Sequence, residues 1–155
     1  MNPISRTEEL EYAGFWIRVA ASLIDTILLA FLVLPLLYAF FGPQYFSLTS
    51  QGSYGMLDTL INYALPAMVI VLFWLYRSAT PGKIWLGLII VDAYSGERPS
   101  PTQLFIRYLG YYVSMLPLFA GLIWVGLDQR KQGFHDKLAS TLVVRTHKKR
   151  PVNQD

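Results

Sequence analysis

The 155-residue chain contains no cysteine, which excludes disulfide scaffolds, thiolate metal sites and cysteine nucleophiles together. Charge is scarce too. Only 15% of residues are Asp, Glu, Lys or Arg, against 54% hydrophobic, a balance outside that of soluble globular domains. The sequence has no glycine-rich phosphate loop, no nucleophile elbow and no zinc-protease helix motif. An enzyme is therefore not expected, and neither a cofactor nor a metal is implied. No lipidation motif is present, since the chain opens Met1-Asn2 and offers no cysteine to a prenyl or palmitoyl group. No internal repeat stands out, so the inverted-repeat signature of many secondary transporters is missing.

What the chain does have is apolar residues in long blocks, Val19–Phe41, Leu57–Tyr76 and Tyr108–Leu127. Each approaches the ~20 residues that a spanning helix needs, and the mean hydropathy is +0.37. A polytopic membrane protein follows, with the lipid bilayer as its first partner. The 23 residues of the first block would rise about 34 Å as a helix. A cleaved signal peptide is the competing reading, but its apolar core would be about 7–15 residues after a positive charge. This block is longer, contains Asp25 and follows the acidic Glu8-Glu9-Leu10-Glu11, so a retained first span is expected.

The net charge of +3 is read by its placement, and it does not point to nucleic acid. Arg6 and Arg18 precede the first span, residues 42–56 carry no Lys or Arg, and Arg77, Lys83, Arg98 and Arg107 follow the second. By the positive-inside rule the N-terminus and the 77–107 segment face the cytoplasm. The expected location is a bacterial cytoplasmic membrane, crossed more than once. Pro35 is expected to kink the first helix, which should stop near Phe41-Gly42-Pro43. The first twelve residues read as a polar, mobile segment.

The third block resists simple counting. A single crossing would carry seven of the thirteen basic residues (Arg130, Lys131, Lys137, Arg145, Lys148, Lys149 and Arg150) to the far side. Pro117 divides the block, so a re-entrant helical hairpin meeting near Pro117 is preferred, and a third ordinary span is the alternative. Leu86–Ala93 and Thr141–Thr146 both read as short strands and need each other as partners, which they can be only on one side. Ser100-Pro101-Thr102-Gln103 is a strong helix start, and Thr80-Pro81-Gly82-Lys83 is a weaker one. The expected fold class is an all-α membrane protein with two full transmembrane helices, a third hydrophobic segment and a small two-stranded cytoplasmic ribbon. A polar N-terminal segment (1–14), a membrane domain (15–146) and a basic tail (147–155) divide the chain.

The candidate functional residues are charges in unusual places. Asp25 inside the first span would cost on the order of 2.5–3.5 kcal/mol by insertion scales. Arg18 lies seven residues earlier, on the same helix face and about 10.5 Å away along the axis, so both could converge on a third polar group. Either Asp25 binds a cation or proton, or it staples its helix to another while Arg18 snorkels. His135-Asp136 follows the third block. With no nucleophile or metal beside it, the pair reads as a cap or salt-bridge cluster at the membrane face. Arg18, Asp25, His135 and Asp136 are the ion- or proton-binding candidates, while His147 reads as solvated.

Three charges carry a resemblance: the arginine of Gly14-Phe15-Trp16-Ile17-Arg18, the helical Asp25, and the aspartate of His135-Asp136-Lys137-Leu138-Ala139-Ser140-Thr141. Together with Thr80-Pro81-Gly82-Lys83, Leu86-Gly87-Leu88, Val91-Asp92 and Arg107, they make residues 12–146 resemble the RDD family of bacterial membrane proteins. The resemblance implies an integral membrane protein, for which transport has been suggested and an accessory role is also compatible. The expected function is a component of small-cation or solute transport using Asp25. The alternative is a non-enzymatic membrane adaptor or assembly factor whose buried charges are structural. Three apolar blocks are few to line a path, so a homo-oligomer or another membrane protein is the expected partner. Ala20, Ala21, Ser22 and Ala30 would permit close helix approach.

Overall fold

A computed structural model describes residues 11–47, 54–115 and 120–146. Helix α1, Phe15–Phe41, has 27 residues and helix α2, Met56–Arg77, has 22, and both are long and apolar enough to cross a membrane. At about 1.5 Å per residue α1 is about 40 Å long, roughly 10 Å more than a hydrocarbon core. If about 20 residues ending at Phe41 filled the hydrocarbon slab, they would begin at Ser22, with Arg18 outside and Asp25 in the first turn. Phe31, Leu34, Tyr38 and Phe40 on the remote half are exposed, as a lipid-facing surface should be. The helix runs on through Pro35. It stops at Gly42, whose φ of 73° no β-carbon would favour and whose N–H returns to the Tyr38 carbonyl. Helix α2 contains a π-turn over Leu60–Ala64 just before Pro66, which has no N–H to give to an α-helical bond. There Asn62 Nδ2 reaches Asp58 Oδ1 (2.6 Å) and the Tyr45 hydroxyl (3.0 Å).

Helix α2 ends at Ser78, in the left-handed region at φ 51°. A short helix α3, Pro81–Trp85, follows from the expected Thr80-Pro81 start. Strand β1 is Leu88–Asp92 and β2 is Thr141–Arg145. They pair antiparallel, with Leu88 opposite Arg145 and Asp92 opposite Thr141, so the ribbon forms where the sequence places it. Its core is apolar, with Leu88, Ile90, Leu142 and Val143 essentially buried. The mobile N-terminal segment expected to run through residue 12 needs correction at its end. Glu11, Tyr12 and Ala13 lie along β2, with Ala13 N–H to Val143 O and Arg145 N–H to Glu11 O, both 2.9 Å. Two extended residues beside an unpaired strand edge satisfy its backbone groups. Residues 1–10 lie outside the described part.

Helix α4, Pro101–Met115, opens on the expected capping box. Ser100 N–H donates to Gln103 Oε1 (2.8 Å), and Gln103 N–H donates to Ser100 Oγ (3.2 Å). Gln103 Nε2 then ties this helix to the ribbon through Asp92 Oδ2, 2.5 Å. Helix α5, Ala120–Leu127, and the five-residue α6, Phe134–Leu138, complete the chain before β2. The described residues of the third apolar block fall in α4 and α5. The hairpin apex expected at Pro117 lies outside the described residues, as do His147 and the rest of the basic tail. Because β1 before the block and β2 after it pair, the chain leaves and rejoins one ribbon.

Candidate functional site

The four titratable residues singled out in the sequence, Arg18, Asp25, His135 and Asp136, lie where α1 meets α3, α4 and α6. Asp136 opens α6, with Oδ2 accepting the Gly133 N–H at 3.0 Å. It is completely buried and takes arginines from two other helices. Arg18 Nη1 of α1 donates to Oδ2 at 2.6 Å, and Arg107 Nη1 of α4 donates to Oδ1. Arg18 is fully used, with Nε to Ala13 O (2.9 Å) and Nη2 to the Lys131 carbonyl. It does not snorkel. Burial opposes ionisation of Asp136, but Arg107 and Arg18 outweigh it and hold the carboxyl well below the usual range.

His135 is buried beneath the Tyr111 ring, 4.1 Å between centroids, with Nδ1 3.4 Å from the Ser114 hydroxyl. Helix α4 approaches it closely at Gly110, where a β-carbon would stand 2.9 Å from His135 Cα. Desolvation, helped by the nearby arginines and Lys83 and opposed by Asp136, lowers the His135 pKa to about 3. That keeps the imidazole neutral at pH 7. The unfolded chain would bind a proton below about 6.5 and the folded one would not. Stability is therefore present above pH 6.5 and lost as pH falls toward 3, by up to roughly 1.4 kcal/mol per pH unit. Acid melting curves should show this slope between pH 6.5 and 4.5, and H135N should flatten it.

Asp25 has different partners. Its Oδ2 accepts the Thr80 hydroxyl at 2.5 Å and its Oδ1 the Gly82 N–H at 2.7 Å, so it binds the start of α3 to α1. The expectation that Arg18 and Asp25 meet at one polar group is not met: one turns to α6, the other to α3. The two share a helix face, but each reaches a segment arriving from a different part of the chain, which helical spacing cannot reveal. Gly82 makes the contact possible, because a β-carbon there would lie 2.2 Å from the Ala21 carbonyl oxygen. Ala21, expected to serve packing between helices, is consumed within the chain.

Two side chains overlooked as sites in the sequence complete the cluster. Lys83 of α3 is 6% exposed and lies over the Trp74 ring, 5.9 Å from its centroid. Its burial depresses the ammonium pKa. Arg107 is fully buried, with its guanidinium 5.7 Å from the Trp74 centroid and 5.9 Å from that of Tyr111. The sequence did hold a signal for Arg107. Leu104, Arg107, Tyr111 and Ser114 follow helical spacing, and three of the four are essentially buried, so the arginine sits in the helix's inward stripe. Lys83 carried no such mark in a five-residue helix.

Two clefts flank Lys83. One, of about 410 Å³, is lined by Arg18, Ser22, Thr26, Lys83, Arg107 and His135 among others. The other, of about 320 Å³, is lined by Asp25, Trp74, Thr80, Lys83, Tyr108 and Tyr111 among others. Both open beside α1, and the charged side chains are held by protein rather than by lipid.

The RDD family model matches residues 12–140. A protein of Rickettsia prowazekii named "Uncharacterized protein RP437" is 26% identical over 90% of this chain and 99% of its own. "Uncharacterized membrane protein YteJ" of Bacillus subtilis is 28% identical over 92% and 90% of the two chains. "Uncharacterized protein YxaI" of the same organism is 31% identical over 85% and 96%. No solved structure matches.

Proposed function

This chain belongs to the RDD family, and from that premise we propose that it is a multi-pass component of solute transport in a bacterial cytoplasmic membrane, with its N-terminus cytoplasmic. The observation that carries the reading is the pair of clefts around Lys83, which place polar and titratable side chains beside a membrane-crossing helix. Asp25 is the moving part in this reading. As a carboxylate it holds both the Thr80 hydroxyl and the Gly82 N–H. Once protonated it would lose acceptor strength toward both, releasing α3 from α1 and joining the two clefts. A small metal cation suits the space poorly, because Lys83 lines it too, so the carried species is a solute whose movement is linked to a proton. Two spanning helices do not enclose a path, and a second copy or another membrane protein would complete one. The apolar concavity on α1 around Ile27, Ala30, Phe31, Leu34 and Tyr38 suits such a neighbour.

Asp25→Asn tests this. It preserves size and one oxygen acceptor but cannot titrate, so stability should drop only by about 1–2 kcal/mol. Proton-linked flux in liposomes should fall to background. The adaptor reading has its own support, since both oxygens of Asp25 and of Asp136 are already bonded within the chain. No flux from folded parent protein, or equal flux from D25N, would select it.

A further inference from the structure

The interior around Lys83 has more hydrogen-bond donors than acceptors. Arg107 uses Nη1 for Asp136 and for the Thr141 hydroxyl. Its Nε and Nη2, and Trp74 Nε1, are buried and meet no acceptor in good hydrogen-bond geometry among the described residues, although the Tyr111 side chain lies beside Arg107 and interacts with it. Lys83 Nζ makes no hydrogen bond or ion pair among those residues; its close contact is the face of the Trp74 ring. An unsatisfied buried donor is costly, more so when it is charged, and aromatic faces compensate only in part.

Charge is unbalanced in the same way. Three basic side chains, Arg18, Lys83 and Arg107, line the 410 Å³ cleft. The carboxylate they adjoin, Asp136, is bonded to Arg18 and Arg107 and forms no ion pair with Lys83. Asp25 lies in the adjoining cleft with its oxygens committed to Thr80 and Gly82. Planar guanidinium nitrogens with a point-charge ammonium form a donor set for a tetrahedral oxyanion.

We propose that the cleft between α1, α3 and α4 binds a phosphate-type oxyanion through Lys83 Nζ and, as Tyr111 shifts aside, the Nε and Nη2 edge of Arg107, with the Ser22 and Thr26 segment of α1 as the entry side. The entry side is partly apolar, with Leu23 and Ile123 more than half exposed at its rim. The same chemistry can therefore be presented by free phosphate or by the phosphate of an anionic lipid whose acyl chains stay in the bilayer. The proposal rests on the transport reading only in treating this cleft as facing solute. Binding is measured without flux, so the two fail separately: phosphate binding without transport defeats the transport reading alone, and flux without binding defeats this site alone.

The test uses the full chain in a phosphate-free maltoside micelle. Inorganic phosphate is titrated calorimetrically, and retained lipid is read by native mass spectrometry after exchange into phosphatidylglycerol or phosphatidylcholine. Saturable phosphate binding that weakens at least tenfold in K83M and returns in K83R assigns the site to a free anion. No phosphate binding, but phosphatidylglycerol retained by the parent and K83R and lost from K83M, assigns it to a lipid headgroup. Neither ligand bound, or K83M equal to the parent, overturns the proposal. Because Lys83 has no ion-pair partner among the described residues, K83M should fold, and a melting point no lower than the parent's is the control.

Discussion

Asp136→Ala should be the most damaging single substitution in this protein. It removes the anion between two buried arginines and leaves Arg107, which has no exposure, and Arg18 facing each other without compensation. Breaking a buried ion pair from one side costs about 3–5 kcal/mol, because an unpaired charge remains behind. The α6 start also loses the acceptor for the Gly133 N–H, a further ~1 kcal/mol. In detergent the thermal midpoint should fall on the order of 10 °C or more, and membrane yield should fall with it. D136N keeps the shape and one oxygen but not the charge, so it should lie closer to alanine than to the parent. A parent-like melting curve for either variant would mean that the arginines find other partners.

Gly82→Val should be nearly as severe, for a steric reason. A β-carbon at that position would lie 2.2 Å from the Ala21 carbonyl oxygen and 3.0 Å from the Asp25 carboxyl carbon. Neither is the free end of a flexible chain: one is helix backbone and the other is pinned by Thr80. The substitution must push α3 off α1, losing both Asp25 hydrogen bonds and leaving the carboxylate unsatisfied. Several kcal/mol is the expected loss, since the strain cannot be relieved by a rotamer change. Limited proteolysis should then cut between Thr80 and Lys83, where the parent is resistant. G82A should show the same effect in weaker form. Full resistance in G82V would argue that α3 does not dock as described.

Much of the fold could be read from local sequence. The ribbon, the Ser100–Gln103 cap and the two long helices each carry a short-range signature: alternation of β-branched residues, a reciprocal cap, an apolar run of spanning length. The identities of Arg18, Asp25 and Asp136 as unusual charges were equally legible, because a charge beside an apolar run is conspicuous. Their partners were not. Arg18 reaches a residue 118 positions away and Asp25 one 55 away, and helical spacing describes a face without saying what packs on it. Lys83 and Arg107 were read as orientation charges, since a basic residue in a membrane loop fits that rule whether it is solvated or buried. The β-edge pairing of Glu11–Ala13 was hidden by the polarity of the residues before it.

The measurement closest to the centre of this account is a double-mutant comparison of Asp136→Leu and Arg107→Met by thermal melting. If Asp136 exists to neutralise a buried guanidinium, removing Arg107 as well should rescue the leucine variant. D136L with R107M should melt above D136L alone, because only Arg18, which keeps its hydrogen bonds to the Ala13 and Lys131 carbonyls, is left without its carboxylate. If the two losses simply add, the buried charges do not depend on one another, and the union of α1, α4 and α6 through this carboxylate is wrong.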